Sequence, residues 1–226
     1  MILRYRFFRV FSNHGRKLSH YTPAGYSQLI STAEVKKFCI QCLEKVGAQS
    51  KHAKALSDVL VAGDYRGHYS HGLNRLEMYV QDIQKGVCST DLEPIIVKET
   101  VSTALVDGKN VLGPVVGNFA METAIKKADK TGIAFVAAFG SNHFGIAGWY
   151  SLMALQQGLI GLAFTNTSPL VFPTRARKVN CKHMYIYNHA LNDVFILWIK
   201  ISTIIQTFVL SVPLLYFIIL TQCSRI

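Results

Sequence analysis

Ile133-Ala134-Phe135-Val136-Ala137-Ala138-Phe139, followed at once by Gly140-Ser141-Asn142-His143-Phe144-Gly145, is the stretch from which the fold can be read. An uncharged apolar run of this length reads as a strand buried on both faces. The glycine-bracketed break after it reads as a strand-to-helix turn. Leu159-Ile160-Gly161-Leu162-Ala163-Phe164 repeats the pattern after a helical interval from about Ala147 to Gln157. Upstream, Pro114 suits the first turn of a helix lined by Val116, Phe119, Ala120, Ala124 and Ala128 and ended by Gly132. Pro94–Val97 and Ser102–Val106 read as short strands, the second ended by a turn at Asp107-Gly108. Strand, helix, strand, helix, strand is an α/β layout.

Ahead of this region, residues 31–90 read as a helical unit. Ser31-Thr32-Ala33-Glu34 is a capping box, and Val35, Phe38, Cys39, Cys42, Leu43 and Val46 recur behind it at helical spacing until Gly47. A second helix is expected from Ser50 to near Gly63, and a third from Ser70 to Gly86 with Leu73, Leu76, Val80 and Ile83 on its inner side.

The 226 residues carry a formal charge of +11, unevenly spread: residues 1–33 hold Arg4, Arg6, Arg9, Arg16 and Lys17 and no acid. Residues 1–30 therefore read as a basic, transit-peptide-like leader, which fits a cytoplasmic or mitochondrial location. No basic and aromatic stripe crosses the middle of the chain, so nucleic acid is not an expected partner. Five cysteines without framework spacing indicate a reducing compartment. Cys39 and Cys42 form a CxxC, but on the apolar face of a helix they read as small core residues.

Two groups of residues carry chemistry. In Ser70-His71-Gly72-Leu73-Asn74-Arg75, an imidazole that titrates near neutrality stands beside a hydroxyl, and a guanidinium follows four residues later. Such a set can give a proton to a forming alkoxide and grip a carboxylate at two points. His143 lies just past a buried strand, where ligands of α/β sheets bind. No GxGxxG follows a strand (Gly113 and Gly117 frame only a GxxxG), and no Walker loop, zinc-ligand spacing or nucleophile elbow occurs.

Asp64-Tyr65-Arg66-Gly67-His68-Tyr69-Ser70-His71-Gly72-Leu73-Asn74-Arg75, Gly140–Gly145 and Thr165-Asn166-Thr167-Ser168-Pro169, in that order, resemble the malate/L-lactate dehydrogenase family over about Ser31 to Lys178. The resemblance implies an NAD- or NADP-dependent oxidoreductase, usually a homodimer, with a non-Rossmann cofactor fold. Its substrate would be a small 2-hydroxy or 2-keto acid. It also implies His71 as proton donor and acceptor, Ser70 as its relay partner and Arg75 as substrate binder. His143, Phe144, Gly145, Ile146, Ala147 and Thr167 would lie at the cofactor.

The expected organisation is a leader over 1–30, a helical catalytic and dimerisation unit over 31–90, an incomplete cofactor-binding α/β domain over 91–178 and an apolar tail over 179–226. Family members supply a relay aspartate, a basic cofactor contact and further sheet after this point, and none is recognisable in the tail. The tail is expected to be unrelated sequence, with the composition of translated AT-rich non-coding DNA. It would meet a membrane only if 194–220 inserts as a span. A chain so truncated is expected to have little activity.

Overall fold

Three helices precede the first strand. They are α1 (Thr32–Lys45), α2 (Ser50–Tyr65) and α3 (Leu76–Gln84) in a computed structural model that describes residues 30–165 and the backbone of 185–189 and 216–222. Thr32–Ile226 form one unit and Met1–Ser31 another. Apart from Ile30, the predicted leader lies outside the described residues. Cys39 and Leu43 of α1, Leu56 and Leu60 of α2, and Tyr79 and Ile83 of α3 close one apolar core. Cys39 is wholly buried, and burial pushes its thiol up to about 11, so it is an inert core residue.

The third helix is shorter than its periodicity predicts. Two single 3-10 turns, Tyr69–His71 and Leu73–Arg75, stand where its first turns were expected. A continuous helix would hand the Leu73 N–H to the Tyr69 carbonyl. The Asp64 carboxylate takes that N–H instead, at 2.9 Å. Gly72, with φ −99 and ψ −145, breaks the ladder between the two turns.

The sheet has six strands among the described residues: β1 (Ile95–Glu99), β2 (Thr103–Val111), β3 (Ile133–Ser141), β4 (Leu159–Thr165), β5 (Tyr185–His189) and β6 (Tyr216–Gln222). Their order is β1-β2-β3-β6-β4-β5. β2 and β3 are parallel, and the other pairs are antiparallel. Helix α4 (Gly113–Thr131) crosses from β2 to β3, and α5 (Ala147–Gln156) from β3 to β4. Ala104, Val106, Val136 and Ala138 of the sheet share a core with Val116 and Met121 of α4 and Tyr150 of α5, so both helices cover the same face. Pro114 sits in the first turn of α4, and Gly132 ends it at φ 78, a left-handed conformation that suits glycine.

Asp107-Gly108 does not end β2 as expected. The strand continues to Val111 through an irregularity in which Lys109 and Asn110 adopt φ 50 and 57. Asp107 accepts the Lys109 N–H at 2.8 Å, which holds that conformation.

Two segments of the tail, Tyr185–His189 and Tyr216–Gln222, supply β5 and β6 to the same sheet. Tyr216-Phe217-Ile218-Ile219-Leu220 is an apolar run rich in aromatic and β-branched residues, as a central strand requires. It pairs with β3 from Ile133↔Thr221 to Ala138↔Tyr216 and with β4 from Leu159↔Gln222 to Thr165↔Tyr216. Residues 216–220 are thus strand, and the remainder of the predicted 194–220 span lies outside the described residues. No helix among the described residues is long and apolar enough to cross a membrane.

Gly117 sets the approach of α4 to α5. A β-carbon there would stand 2.4 Å from the ring of Tyr150, which is wholly buried and donates its hydroxyl to the Phe144 carbonyl at 2.6 Å. Gly117→Ala gains about 1 kcal/mol of helix propensity. It loses more through overpacking, and a net destabilisation of roughly 1–2 kcal/mol is expected. The midpoint of urea unfolding should fall accordingly.

Candidate functional site

The end of β3 delivers His143. Asn142 holds the turn in place: its side-chain amide donates to the carbonyls of Asn110 and Val111 and to the Asn110 side chain, each at 3.2 Å. The irregular end of β2 therefore anchors the loop that carries His143. Gly113 allows the α4 start to close on the same loop, since a β-carbon there would lie 2.2 Å from the His143 carbonyl oxygen. Gly145, at φ 79, lies so near Val59 of α2 that a β-carbon would come within 2.3 Å of it.

His71 arrives from the other side. The α2 end, Gly63-Asp64, cradles its turn: a β-carbon on Gly63 would meet the His71 carbonyl at 2.8 Å, and one on Gly72 would overlap the Asp64 carboxylate. Ser70 Oγ lies 2.8 Å from His71 Nδ1. The His71 ring stacks on the His143 ring, centroids 5.2 Å apart and planes 28° off parallel, and the His68 ring meets it edge-on at 4.6 Å. Arg75 turns back so that Nε donates to the Ser70 carbonyl at 2.7 Å. That leaves the outer guanidinium nitrogens without a hydrogen bond among the described residues.

The electrostatics follow from this crowding. Burial, then His71 and Arg75, bring the His143 pKa down to about 4. Burial, then His68 and Arg75, lower that of His71. Cations side by side in a partly dry cleft disfavour each other's charged form. The site holds neutral imidazoles beside one permanent cation, a setting suited to an anion.

The structure thus brings Ser70, His71, Arg75 and His143 together. Arg75 and His71 do not share a helical face, since two 3-10 turns separated by Gly72 carry them. Phe144, Ile146 and Ala147 are in the loop as expected, but their side chains are buried at 4, 5 and 4% exposure. Phe144 stacks on Tyr150, and Ile146 packs with Val59 and Ala62. They support the loop from beneath and leave backbone, not side chain, for a ligand. Ile146 provides no side-chain cap to α5, so the first N–H groups of that helix are open to an anion such as a phosphate. Glycine and small residues at this start fit the close approach of a dinucleotide. Thr167 lies outside the described residues.

Sequence reading missed Tyr79 and Asp64 as parts of the site. The Tyr79 hydroxyl is 2.5 Å from His143 Nδ1 and 3.3 Å from the His143 carbonyl oxygen. Its signal was the four-residue step from Arg75, which places it one turn further along the chain. Asp64 was visible only as a connection residue before the histidines.

An imidazole pair and a guanidinium thus lie at the carboxyl end of a central strand of an α/β protein, beside a helix start lacking GxGxxG, an arrangement chemically suited to a small anion. The chain belongs to the malate/L-lactate dehydrogenase family, whose sequence profile matches residues 30–180. A malate dehydrogenase of Pyrococcus abyssi is 46% identical over 141 residues, which are 62% of this chain and 39% of that one. A ureidoglycolate dehydrogenase (NAD(+)) of Escherichia coli O157:H7 is 33% identical over 57% of this chain and 37% of its own. The solved structure of malate dehydrogenase from Pyrococcus horikoshii superposes with a TM-score of 0.68 at 39% identity, covering 75% of this chain and 49% of that one. Sulfolactate dehydrogenase from Methanocaldococcus jannaschii gives 0.68 at 38% identity, covering 71% and 47%. The chain spans about two fifths of the length of these curated relatives.

The depressed His143 pKa has a consequence for stability. Between pH 6.5 and about 4 the unfolded chain binds a proton that folded His143 refuses. Stability therefore falls as pH drops through that window, by up to roughly 3 kcal/mol. Urea unfolding at pH 7 and pH 4.5 measures it, and His143→Gln should lose a smaller part of its stability than the parent.

Proposed function

We propose that this site serves hydride transfer between NAD or NADP and C2 of a small 2-hydroxy or 2-keto acid. The observation that carries the reading is the stacked His71–His143 pair, with Ser70 on one ring and Arg75 alongside, at the carboxyl end of β3. The relatives' activities support it, since they are malate, sulfolactate and ureidoglycolate dehydrogenases.

The free edge of the Arg75 guanidinium binds the substrate carboxylate at two points. The carbonyl oxygen then faces the imidazoles. His71 gives it a proton in the reductive direction and removes one in the oxidative direction, with the Ser70 hydroxyl on Nδ1 holding or relaying that proton. The nicotinamide supplies or accepts the hydride when it is bound. His143, the backbone of Phe144, Gly145 and Ile146, and the open N–H groups from Ala147 would hold it. A homodimer is the expected assembly.

No carboxylate reaches His71 among the described residues, so nothing there stabilises an imidazolium once it forms. We propose that this chain on its own turns over slowly, because the relay aspartate that the family resemblance implies is not recognisable in its sequence. Purified protein with NADH or NADPH and pyruvate or oxaloacetate tests this: a rate at least 100-fold below that of a full-length relative is expected, and an equal rate refutes the impairment. Arg75→Gln should weaken oxaloacetate binding by roughly 10-fold or more, as loss of a charge-assisted contact costs about 1.5–3 kcal/mol. Calorimetric titration reads this without turnover.

A further inference from the structure

We propose that Tyr79 is a positioning residue: together with the Gly145 backbone N–H, its hydroxyl holds His143 in the single neutral tautomer that carries its proton on Nε2, so the ring offers a fixed N–H donor to a carbonyl oxygen in the site. The argument is one of donors and acceptors. The Gly145 backbone N–H points at His143 Nδ1 at 3.3 Å, and a backbone N–H can only donate. Nδ1 is therefore a bare acceptor. The Tyr79 hydroxyl, 2.5 Å from the same nitrogen, must then donate to it as well. Its other partner on this residue, the His143 carbonyl at 3.3 Å, is likewise an acceptor. A neutral imidazole has one N–H, and with Nδ1 bare that proton is on Nε2.

Tyr79 is 1% exposed and sits in the helical core, so its hydroxyl cannot swing away. Among the described residues the charged and titratable groups facing His143 are Tyr79, His71 and Arg75, and the last two, with burial, disfavour a second proton. Nε2 makes no hydrogen bond among the described residues, so its N–H is available to a ligand. His71 differs. Its Nδ1 partner is the Ser70 hydroxyl, which can donate or accept, so either tautomer is satisfied. One ring of the stacked pair is a fixed donor while its neighbour is free to exchange a proton.

The recipient of the Nε2–H is a carbonyl oxygen, and here the inference rests on the functional reading. A 2-keto acid and the carboxamide of a nicotinamide both present one. The tautomer itself is independent of turnover.

Histidine-selective 15N labelling of the full chain and two-bond 1H–15N correlations at pH 7 test the proposal. His143, assigned by the peaks lost in His143→Gln, should show the Nε2–H pattern, and Tyr79→Phe, which leaves only the long 3.3 Å Gly145 contact on Nδ1, should admit a share of the Nδ1–H tautomer. A Nδ1–H or averaged pattern in the parent chain overturns the proposal. An unchanged Nε2–H pattern in Tyr79→Phe with a native-like backbone spectrum overturns the positioning role of Tyr79 and leaves the tautomer to the Gly145 N–H. If Tyr79→Phe does not fold, the parent pattern alone decides. Pyruvate and NADH are then added separately: a shift of the Nε2 resonance with pyruvate assigns the donor to substrate, and with NADH to the carboxamide. No shift with either overturns the donor role. If neither pyruvate nor NADH moves any resonance of the site while the Nε2–H pattern stays intact, the functional reading fails and the tautomer stands.

Discussion

A hydrogen bond between residues 64 apart, from the Tyr79 hydroxyl to the His143 imidazole, joins the helical layer to the end of the central strand. Each side is prepared separately. On one side α1, α2 and α3 close a core around Tyr79, and on the other the β2 irregularity and Asn142 hold the His143 loop. Neither layer contains a complete site. His71 and Arg75 come with the helices and His143 with the sheet, so these side chains meet only where the layers meet.

Close backbone approaches allow that meeting. Gly145 lies against Val59, Gly113 against the His143 carbonyl, Gly63 against the His71 carbonyl and Gly72 against the Asp64 carboxylate. At each, a methyl group would force the two layers or the histidine turn apart. Asp64 also withdraws the Leu73 N–H from the helical ladder. The turn is thereby bent so that the His71 ring can lie on the His143 ring. Competition for a single N–H, not helix propensity, determines where His71 points.

Much of the fold was legible in the sequence because the signals were local. The apolar runs at Ile133–Phe139 and Leu159–Phe164, Pro114 at a helix start and Gly132 at its end all correspond to observed elements. The errors share one physical origin. The helix expected from Ser70 is broken by a carboxylate nine residues upstream of Leu73. The turn expected at Asp107-Gly108 is absorbed into a strand that β3 pairs with. Tyr216–Gln222, to which no strand was assigned from the sequence, finds strand partners in both β3 and β4. In each case a contact distant in sequence outweighed a local preference worth a few tenths of a kcal/mol to about 1 kcal/mol.

For the site, the residue types were determined by the sequence alone: an imidazole beside a hydroxyl, a guanidinium after it, and a second imidazole past a buried strand. Hydrogen-bonding capacity and titration range belong to the side chain wherever it sits. Only the tertiary structure decided that the two imidazoles stack, and that Phe144 and Ile146 support the loop instead of lining the cleft. It alone placed Tyr79 on one ring nitrogen, and burial beside Arg75 is what keeps both rings from charging. Those properties depend on distance and solvent exclusion, which arise when separate segments pack and which no single segment encodes.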